Sequence, residues 1–332
     1  MSNPVLVEVT RGNVIESRHR GSFAVFDGDG AQIMAAGDIE RPVFPRSAVK
    51  SIQALPLVES GAADAYGFSE ADLALACASH AGEMRHADRA AAMLVRAGLT
   101  HHDLECGTHW PSRQDALIEL ARSGASPCAL HNNCSGKHSG FVCTCRHLGI
   151  DHRGYVKAGH RSQEMVREAM ETVTGAAHST DACGTDGCSI PTFAVPLASL
   201  AKGFARMATG QGLGPVRAAA AKRLIAACMA EPFYVSGTDR VDTRLMTTGA
   251  GRIFVKVGAE GVYCGALPDL GIGFALKCDD GAVRAAETMV AALLATLLKD
   301  ELGERVGEMA RPVMKNWNGM EVGTVRPVGD LG

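Results

Sequence analysis

Apolar and polar residues alternate, as they do in half-buried strands, mainly near the two ends of the chain. The segment 5–10 reads Val-Leu-Val-Glu-Val-Thr, and an Asp-Gly-Asp-Gly segment at 27–30 has the composition of a hairpin turn. Strands are predicted over 5–10, over 22–37 as a hairpin, and over 252–257, 261–266, 271–278 and 321–326. The pattern indicates a sheet built from both ends of the chain.

In the middle of the chain, apolar residues recur three and four positions apart, which is the spacing of one helix face. The segment 69–72 (Ser-Glu-Ala-Asp) resembles a capping box that begins a short helix. Pro56 is expected to kink or end the helix that follows Ser47. Further helices are predicted near 86–98, 113–123, 139–149, 159–174, 191–208, 214–230 and 281–300.

Strands at the ends and helices between them predict an α+β fold, with one mainly antiparallel sheet and an inserted helical lobe. We expect residues 1–60 and 235–332 to form the sheet lobe and residues 61–234 to form a mainly helical lobe. A length of 332 residues suits one large unit or two such lobes. The active site is expected at their junction, where Ser47 leaves the sheet.

Composition narrows the possible partners. The formal net charge is −3 and no run of Lys or Arg forms a basic stripe, so nucleic acid and anionic membranes are poor candidates. No apolar run approaches the roughly 18 residues of a spanning helix, and the segment 1–4 has no signal-peptide pattern, so we expect a cytoplasmic protein. Most of the 11 cysteines are expected to be buried free thiols.

The segment 44–53 carries the first candidate chemistry. A proline precedes Ser47, and Lys50 follows it three residues later at the predicted start of a helix. Residues three apart lie on one helix face, so the lysine amine is expected to reach the hydroxyl. A lysine whose pKa is lowered by burial can take the proton of a serine and make it a nucleophile. The alternative is a capped helix with an exposed lysine.

Two short polar loops form the second candidate. One, at 131–140, contains Cys134, Lys137 and His138; the other, at 181–191, contains Cys188. Zinc prefers thiolate and imidazole ligands, so Cys134 and Cys188 could bind it together with Lys137 or His138. Ordinary ligand chemistry favours His138, because a protonated lysine cannot coordinate. The alternative is that both cysteines are simply small and buried.

Other motifs are absent or ambiguous. The sequence has no phosphate-binding Gly-rich loop, no dinucleotide fingerprint, and none of the motifs of zincins, α/β-hydrolases or EF-hands. Lys256 lies in a predicted strand, where an exposed lysine is the usual interpretation. The usual interpretation of Ser79 is a hydroxyl that ends a helix, and His80, Glu83 and Arg46 are more often surface groups than ligands.

Four segments together resemble the rhizobial-type L-asparaginase II family. They are 46–51 (Arg-Ser-Ala-Val-Lys-Ser), 77–83 (Cys-Ala-Ser-His-Ala-Gly-Glu), 131–138 (His-Asn-Asn-Cys-Ser-Gly-Lys-His) and 186–191 (Asp-Gly-Cys-Ser-Ile-Pro). The resemblance spans nearly the whole chain. It implies a fold similar to those of serine β-lactamases and glutaminases, hydrolysis of L-asparagine to L-aspartate and ammonia, and a homodimer.

The resemblance also implies roles for particular residues. It implies two Ser-Lys tandems, Ser47 with Lys50 and Ser79 with Lys256, in which Ser47 is the nucleophile. It implies one zinc ion per chain that assists substrate binding and is held by Cys134, Lys137 and Cys188, so that Lys137 replaces His138 as the ligand. The implied substrate-binding residues are Arg46, His80, Glu83, His138 and Asp186.

Two other functions remain open from the sequence. A serine hydrolase that acts on β-lactams would use the same Ser-Lys chemistry, although no Lys-Thr-Gly follows at Lys256. A non-catalytic protein that senses zinc or redox state through Cys134 and Cys188 would use only the two polar loops.

Overall fold

The computed structural model describes residues 2–332, so Met1, the first residue of the predicted sheet lobe, lies outside it. The strands are β1 (Val5–Arg11), β2 (Val14–Asp27), β3 (Gln32–Ala36), β4 (Pro42–Val43), β5 (Cys183–Thr185), β6 (Pro191–Phe193), β7 (Val195–Pro196), β8 (Phe254–Gly258), β9 (Val262–Leu267), β10 (Ile272–Cys278), β11 (Val313–Lys315) and β12 (Glu321–Pro327).

The helices, between and after these strands, are α1 (Lys50–Gln53), α2 (Leu55–Glu59), α3 (Ala62–Ala65), α4 (Glu70–Ala76), α5 (Met84–Arg96), α6 (Gln114–Arg122), α7 (Ser135–His147), α8 (Arg161–Thr174), α9 (Leu197–Thr209), α10 (Pro215–Ala230), α11 (Pro232–Ser236), α12 (Val241–Gly249), α13 (Val283–Leu297) and α14 (Glu301–Met309). A 3-10 helix at Arg46–Val49 directly precedes α1. Among residues 2–332, no helix combines the length and the apolar character that a membrane crossing requires.

One sheet of eight strands organises the fold. Its main path runs β11-β12-β1-β2-β10-β9-β8, with β3 paired to β2, and every pairing is antiparallel. These strands come from residues 5–36 and 254–327, so the α+β arrangement with a sheet from both ends of the chain is confirmed. The division into two lobes stays a prediction.

Helices pack on the two faces of this sheet. A Cβ atom at Gly273 of β10 would lie 2.0 Å from the Ala205 nitrogen, so α9 rests directly on the strand backbone there. A Cβ atom at Gly21 of β2 would lie 2.8 Å from the terminal carbon of Met289, on α13. Gly21 and Gly273 occupy opposite sides of the alternating β2–β10 pair, so α9 and α13 cover opposite faces.

Several predicted elements differ from the observed ones. Strand β2 begins at Val14 rather than near residue 22; its first half does alternate between exposed and less exposed positions, but Ser17 and His19 occupy inner positions where apolar residues would have revealed the strand. The predicted helix 191–208 is wrong at its start, where β6 and β7 precede α9. Helices α11, α12 and α14 were not predicted. The capping box at Ser69 and Asp72 is confirmed.

The chain around Ser47 is tighter than a single α-helix. The 3-10 helix and α1 end at Ala54, and α2 then carries Pro56 in its first turn, so the proline begins a new helix rather than ending the old one. A Cβ atom at Gly258 would lie 2.4 Å from the Pro45 carbonyl oxygen. The end of β8 therefore rests directly against the turn that carries Ser47.

Candidate active site

The Ser47 turn combines backbone strain with partial exposure of its serine. Arg46 has φ +51°, a left-handed conformation that non-glycine residues rarely adopt and that often marks a functional turn. Ser47 is half-buried, whereas Lys50 is 0% exposed. The hydroxyl is thus accessible while the amine lies inside the protein.

The amine of Lys50 uses all three of its N–H donors away from Ser47. It donates to the Ala78 carbonyl at 2.5 Å, to the Ser79 hydroxyl at 2.8 Å and to the Cys134 sulfur at 3.0 Å. Within residues 2–332 it makes no hydrogen bond to Ser47, so the expected Ser47–Lys50 contact is not formed. The serine that Lys50 contacts directly is Ser79.

The Ser79 loop is fixed by its backbone. The Ser79 N–H donates to the Val235 carbonyl at 2.9 Å, and the next N–H, of His80, donates to the Asn133 carbonyl at 3.2 Å. The His80 Nδ1 accepts from the Gly82 N–H, so its Nε2–H donates to Ser135, at 2.9 Å. Burial lowers the pKa of His80 well below its usual value. His80 is therefore neutral and buried, and it connects the Ser79 loop to Ser135. It is not the surface group that its position in the sequence suggested.

The two polar loops meet at their cysteines. The predicted loop 131–140 is helical from Ser135, so Lys137 lies in the first turn of α7, and its amine donates to the Cys188 sulfur at 3.0 Å. The Cys188 thiol also lies 3.7 Å from the Asp186 carboxylate, and its interaction with the Cys134 sulfur shifts the pKa of both thiols. All three side chains are at most 3% exposed. Cys134, Lys137 and Cys188 therefore form one buried cluster.

Charge is shared within this cluster. The hydrogen bond from Cys188 lowers the pKa of Cys134 well below its usual value and raises the pKa of Cys188. Burial lowers the pKa of Lys137, but the charges of Cys134 and Cys188 outweigh it, so the net shift is upward. The Cys134 thiolate therefore lies beside the protonated amine of Lys137, which keeps its proton unless a metal ion displaces it.

The donor set of the cluster fits zinc. With bonds of about 2.3 Å to sulfur and 2.0–2.1 Å to nitrogen, two ligands of a tetrahedral zinc ion lie about 3.5 Å apart. The Lys137 nitrogen and the Cys188 sulfur lie 3.0 Å apart, so a shift of about half an ångström would suit a bound ion. His138, the ligand that ordinary chemistry favoured, is hydrogen-bonded to Tyr155 and makes no hydrogen bond to either sulfur atom within residues 2–332.

An ion pair joins the Ser47 turn to the Cys188 loop. The Arg46 Nε donates to the Asp186 carboxylate at 2.5 Å, and the two side chains are 27% and 10% exposed. Burial raises the pKa of Asp186, but the charges of Lys137 and Arg46 outweigh it, so the pKa is lowered. Asp186 is therefore an ionised carboxylate beside the cysteine cluster.

Two other predicted substrate-binding residues are held by neighbours. The Tyr155 hydroxyl accepts from the Glu105 N–H and donates to His138 Nδ1 at 2.7 Å, which leaves the N–H of His138 on Nε2, buried and without a partner. Both Glu83 carboxylate oxygens accept hydrogen bonds from Thr238. Glu83 thus anchors the 237–238 loop.

Lys256 is 0% exposed, so its interpretation as an exposed strand lysine is wrong. Its amine donates to the Val257 carbonyl at 2.8 Å and lies 4.0 Å from the carboxylate of Asp242, on α12. It makes no hydrogen bond to Ser79 within residues 2–332. Burial lowers the pKa of Lys256 to about 8, while Asp242 opposes that shift.

Comparison with known proteins identifies the family of this chain. The sequence profile of L-asparaginase II matches residues 7–327. The chain belongs to the L-asparaginase II family. No curated protein sequence matches the chain significantly.

Solved structures resemble this member of the L-asparaginase II family only distantly. The crystal structure of Mglu shares 17% identity and covers 80% of this chain with a TM-score of 0.37; this chain spans 64% of the Mglu chain. A β-lactamase from Mycobacterium bovis shares 12% identity, with 87% of this chain and 92% of that chain covered and a TM-score of 0.43.

The structure adds residues to this L-asparaginase II site that the sequence did not indicate. Asp242 faces Lys256, and Tyr155 orients His138. The Asn132 side chain accepts a hydrogen bond from the Cys134 N–H and so fixes the backbone that carries this cysteine. The partners of Asp242 and Tyr155 lie 14 and 17 residues away, so only the fold reveals these pairs.

A second group of ligand-type side chains lies outside the site. The carboxylate of Asp280 accepts from His19 at 2.6 Å and from the Cys278 thiol at 3.0 Å, and it also accepts from the Ala282 N–H just before α13. A carboxylate at a helix N-terminus is stabilised by the helix dipole. The carboxylate of Asp280 therefore orders the turn that leads into α13, and His19 and Cys278 donate to it there.

Proposed function

We propose that the protein hydrolyses the side-chain amide of L-asparagine to L-aspartate and ammonia through a serine nucleophile and an acyl-enzyme. Membership of the L-asparaginase II family supports the substrate class. The observation that carries the chemistry is the 2.8 Å contact between the buried Lys50 amine and the Ser79 hydroxyl. A serine and a lysine in hydrogen-bond reach can exchange the proton that nucleophilic catalysis requires.

The steps balance without an oxidant or a co-reactant other than water. The Ser47 oxygen bonds to the amide carbon as its proton passes to Lys50; for this step the Lys50 amine must be uncharged and must turn towards Ser47. Ser79, which is hydrogen-bonded to Lys50, carries that proton to the amide nitrogen; the C–N bond breaks and ammonia leaves. Water then attacks the ester carbon and returns a proton by the same route, which restores the Ser47 hydroxyl and releases aspartate.

Other groups of the site stabilise charge in these steps. Backbone N–H groups of the Ser47 turn would hold the developing oxyanion, a contribution of about 3–4 kcal/mol per donor. Lys256 would be the second amine of the Ser79 proton path. Both roles rest on the position of the Ser47 turn against the end of β8.

The same site offers groups for both charged ends of an amino acid. Arg46 would attract the α-carboxylate of the substrate and Asp186 its α-ammonium group. His80 and His138 would line the site as neutral imidazoles, because burial lowers the pKa of both. Glu83 would act through the loop at Thr238. Holding a small substrate in one orientation is a large part of its catalysis.

We also propose one zinc ion per chain, held by Cys134, Lys137 and Cys188. It would supply a fixed positive charge beside Asp186 and so assist substrate binding. Its ligands are the buried cluster described above, whose donor types and spacing fit the ion.

An ammonia-release assay with L-asparagine and L-glutamine tests the function. We expect release from asparagine, its loss in Ser47→Ala, and an acyl-enzyme detectable by mass spectrometry. Ser51→Ala is the matched control, because Ser51 is buried in the same segment and its hydroxyl has no partner. Full activity in Ser47→Ala would refute the nucleophile assignment, and if Ser79→Ala alone abolished activity, Ser79 would be the nucleophile.

The same preparation tests the two other functions. Acylation by a chromogenic cephalosporin, with asparagine left intact, would favour a β-lactam hydrolase. A change of oligomeric state on zinc binding or oxidation, again without ammonia release, would favour a sensor that uses Cys134 and Cys188. Either result would overturn the asparaginase proposal.

A further inference from the structure

A buried carboxylate faces the buried amine of Lys256. The Asp242 side chain, in the first turn of α12, is 2% exposed, and the Lys256 side chain, on β8, is 0% exposed. The Asp242 Oδ2 lies 4.0 Å from the Lys256 Nζ. Two buried groups of opposite charge at this distance interact far more strongly than a surface pair, because little water screens them.

Asp242 also binds the strands around Lys256. Its Oδ2 accepts from the Val257 N–H at 2.9 Å, one residue beyond the lysine. Tyr263 pairs with Val257 from the neighbouring strand β9, and burial together with the charge of Asp242 raises the pKa of its hydroxyl, which stays protonated beside this carboxylate. The Asp242 side chain thus connects α12 to the paired strands β8 and β9, next to Lys256. A carboxylate that only stabilised the helix N-terminus would not need either strand contact.

The charges around Lys256 are mostly positive or neutral. Lys50, from α1, and Arg240, just before α12, lower the pKa of Lys256, whereas Asp242 and the Cys134 thiolate raise it. The neighbouring thiols of Cys228, on α10, and Cys264, on β9, remain neutral, since burial raises the pKa of Cys264 and hydrogen bonding to Cys77 together with burial raises that of Cys228. Asp242 is therefore the nearest negative charge that can offset the burial of Lys256.

We propose that Asp242 is a positioning residue of the active site: it holds the Lys256 amine in place and keeps a proton on it. The use of that proton in amide hydrolysis rests on the proposed function. The pairing itself does not, since it follows from the contacts among α12, β8 and β9.

Direct titration of Lys256 tests the pairing without any assay of activity. Protein labelled with ¹³C at the lysine side chains would be followed by NMR against pH, and the Lys256 signal identified by its loss in Lys256→Met. We expect the signal to titrate near pH 8 in the parent protein. In Asp242→Asn, which keeps an acceptor for the Val257 N–H, it should titrate about one to three pH units lower.

Two variants separate charge from structure. Asp242→Glu keeps the charge and should return the titration towards the parent value. Tyr263→Phe removes the hydroxyl beside Asp242 but leaves the Asp242 carboxylate in place. It should therefore shift the titration of the Lys256 signal much less than Asp242→Asn does. An unchanged titration in a folded Asp242→Asn protein would overturn the proposal and leave Asp242 a structural residue.

Ammonia release then links the pairing to the proposed reaction. In Asp242→Asn, the loss of kcat at alkaline pH should begin at lower pH by the same amount as the NMR shift. If the NMR signal shifts while asparagine is not hydrolysed even by the parent protein, the proposed function fails and the Asp242–Lys256 pairing stands. An equal kcat profile in both proteins, with the NMR shift present, would contradict the use of this proton.

Discussion

The nitrogen of Lys50 lies 3.0 Å from the sulfur of Cys134, although 84 residues separate them in the chain. The same amine lies 2.8 Å from the Ser79 hydroxyl. One buried amine therefore connects Ser79 to the cysteine cluster, and a change in either is expected to affect the other.

Replacement of Lys50 by Met tests this connection. The variant keeps the length of the side chain but leaves Ala78, Ser79 and Cys134 without their donor. Each unpaired buried group costs roughly 1–3 kcal/mol, so we expect a lower free energy of unfolding in urea and ammonia release at least 100-fold slower. Lys157→Met is the control, because Lys157 is exposed and should change neither quantity. Parent-level activity in Lys50→Met would exclude Lys50 from the proton path.

The cysteine cluster gives a prediction about metal content. Purified protein should contain about one zinc ion per chain by elemental analysis, and Cys188→Ser should lose it, since serine is a weak zinc ligand. Cys183→Ser is the control in the same loop, because the Cys183 thiol donates to the Gly184 carbonyl and lies outside the cluster. Equal zinc content in Cys188→Ser and the parent protein would exclude the proposed ligand set.

Strand alternation was enough to predict where the sheet comes from. The apolar pattern at 5–10 and 271–278 predicted β1 and β10, which are mostly buried, β10 on both faces. The first half of β2 alternates in burial, but polar Ser17 and His19 occupy its inner positions, so the sequence carries no apolar pattern there. Short helices such as α11 span too few residues for a periodic signal.

The spacing of the motifs predicted the cysteine cluster but not the hydrogen-bond partners of Lys50 and Lys256. Cys134 and Cys188 do meet, as their two polar loops suggested. The spacing of Ser47 and Lys50 predicted a contact on one face of an α-helix. The segment is instead a 3-10 helix up to Val49, and the Lys50 amine binds the Ser79 hydroxyl. Local spacing cannot show which distant group a buried amine will reach.

Two stacked histidines give a prediction about acid stability. His86 lies between His80 and Phe233, with ring centroids 4.8 and 4.4 Å away, and burial lowers the pKa of both histidines from 6.5. Below about pH 6.5 the unfolded chain therefore binds protons that the folded protein does not, and stability falls as the pH falls. The slope of the free energy of unfolding should be up to about 1.4 kcal/mol per pH unit for each histidine.

The change His86→Gln should reduce that slope by about one histidine's share. His102→Gln is the control, since His102 is exposed and should leave the slope unchanged. Urea unfolding at a series of pH values from about 5 to 7.5 measures both. An identical slope in His86→Gln and the parent protein would show that His86 titrates equally in the folded and unfolded states.

Gly237 allows Glu83 to anchor the loop beside Ser79. Its φ is +113°, and a Cβ atom there would lie 2.7 Å from a Glu83 carboxylate oxygen and 2.9 Å from the Ala81 Cβ. Gly237→Ala should therefore break the Glu83–Thr238 hydrogen bonds, lower stability by roughly 2–4 kcal/mol and slow ammonia release. Gly251→Ala carries a similar backbone penalty, at φ +91°, but its Cβ would meet nothing within 4 Å. It should cost about 1 kcal/mol and leave the rate unchanged. Equal losses in the two variants would mean that backbone strain alone, and not the Glu83 contact, makes glycine necessary at 237.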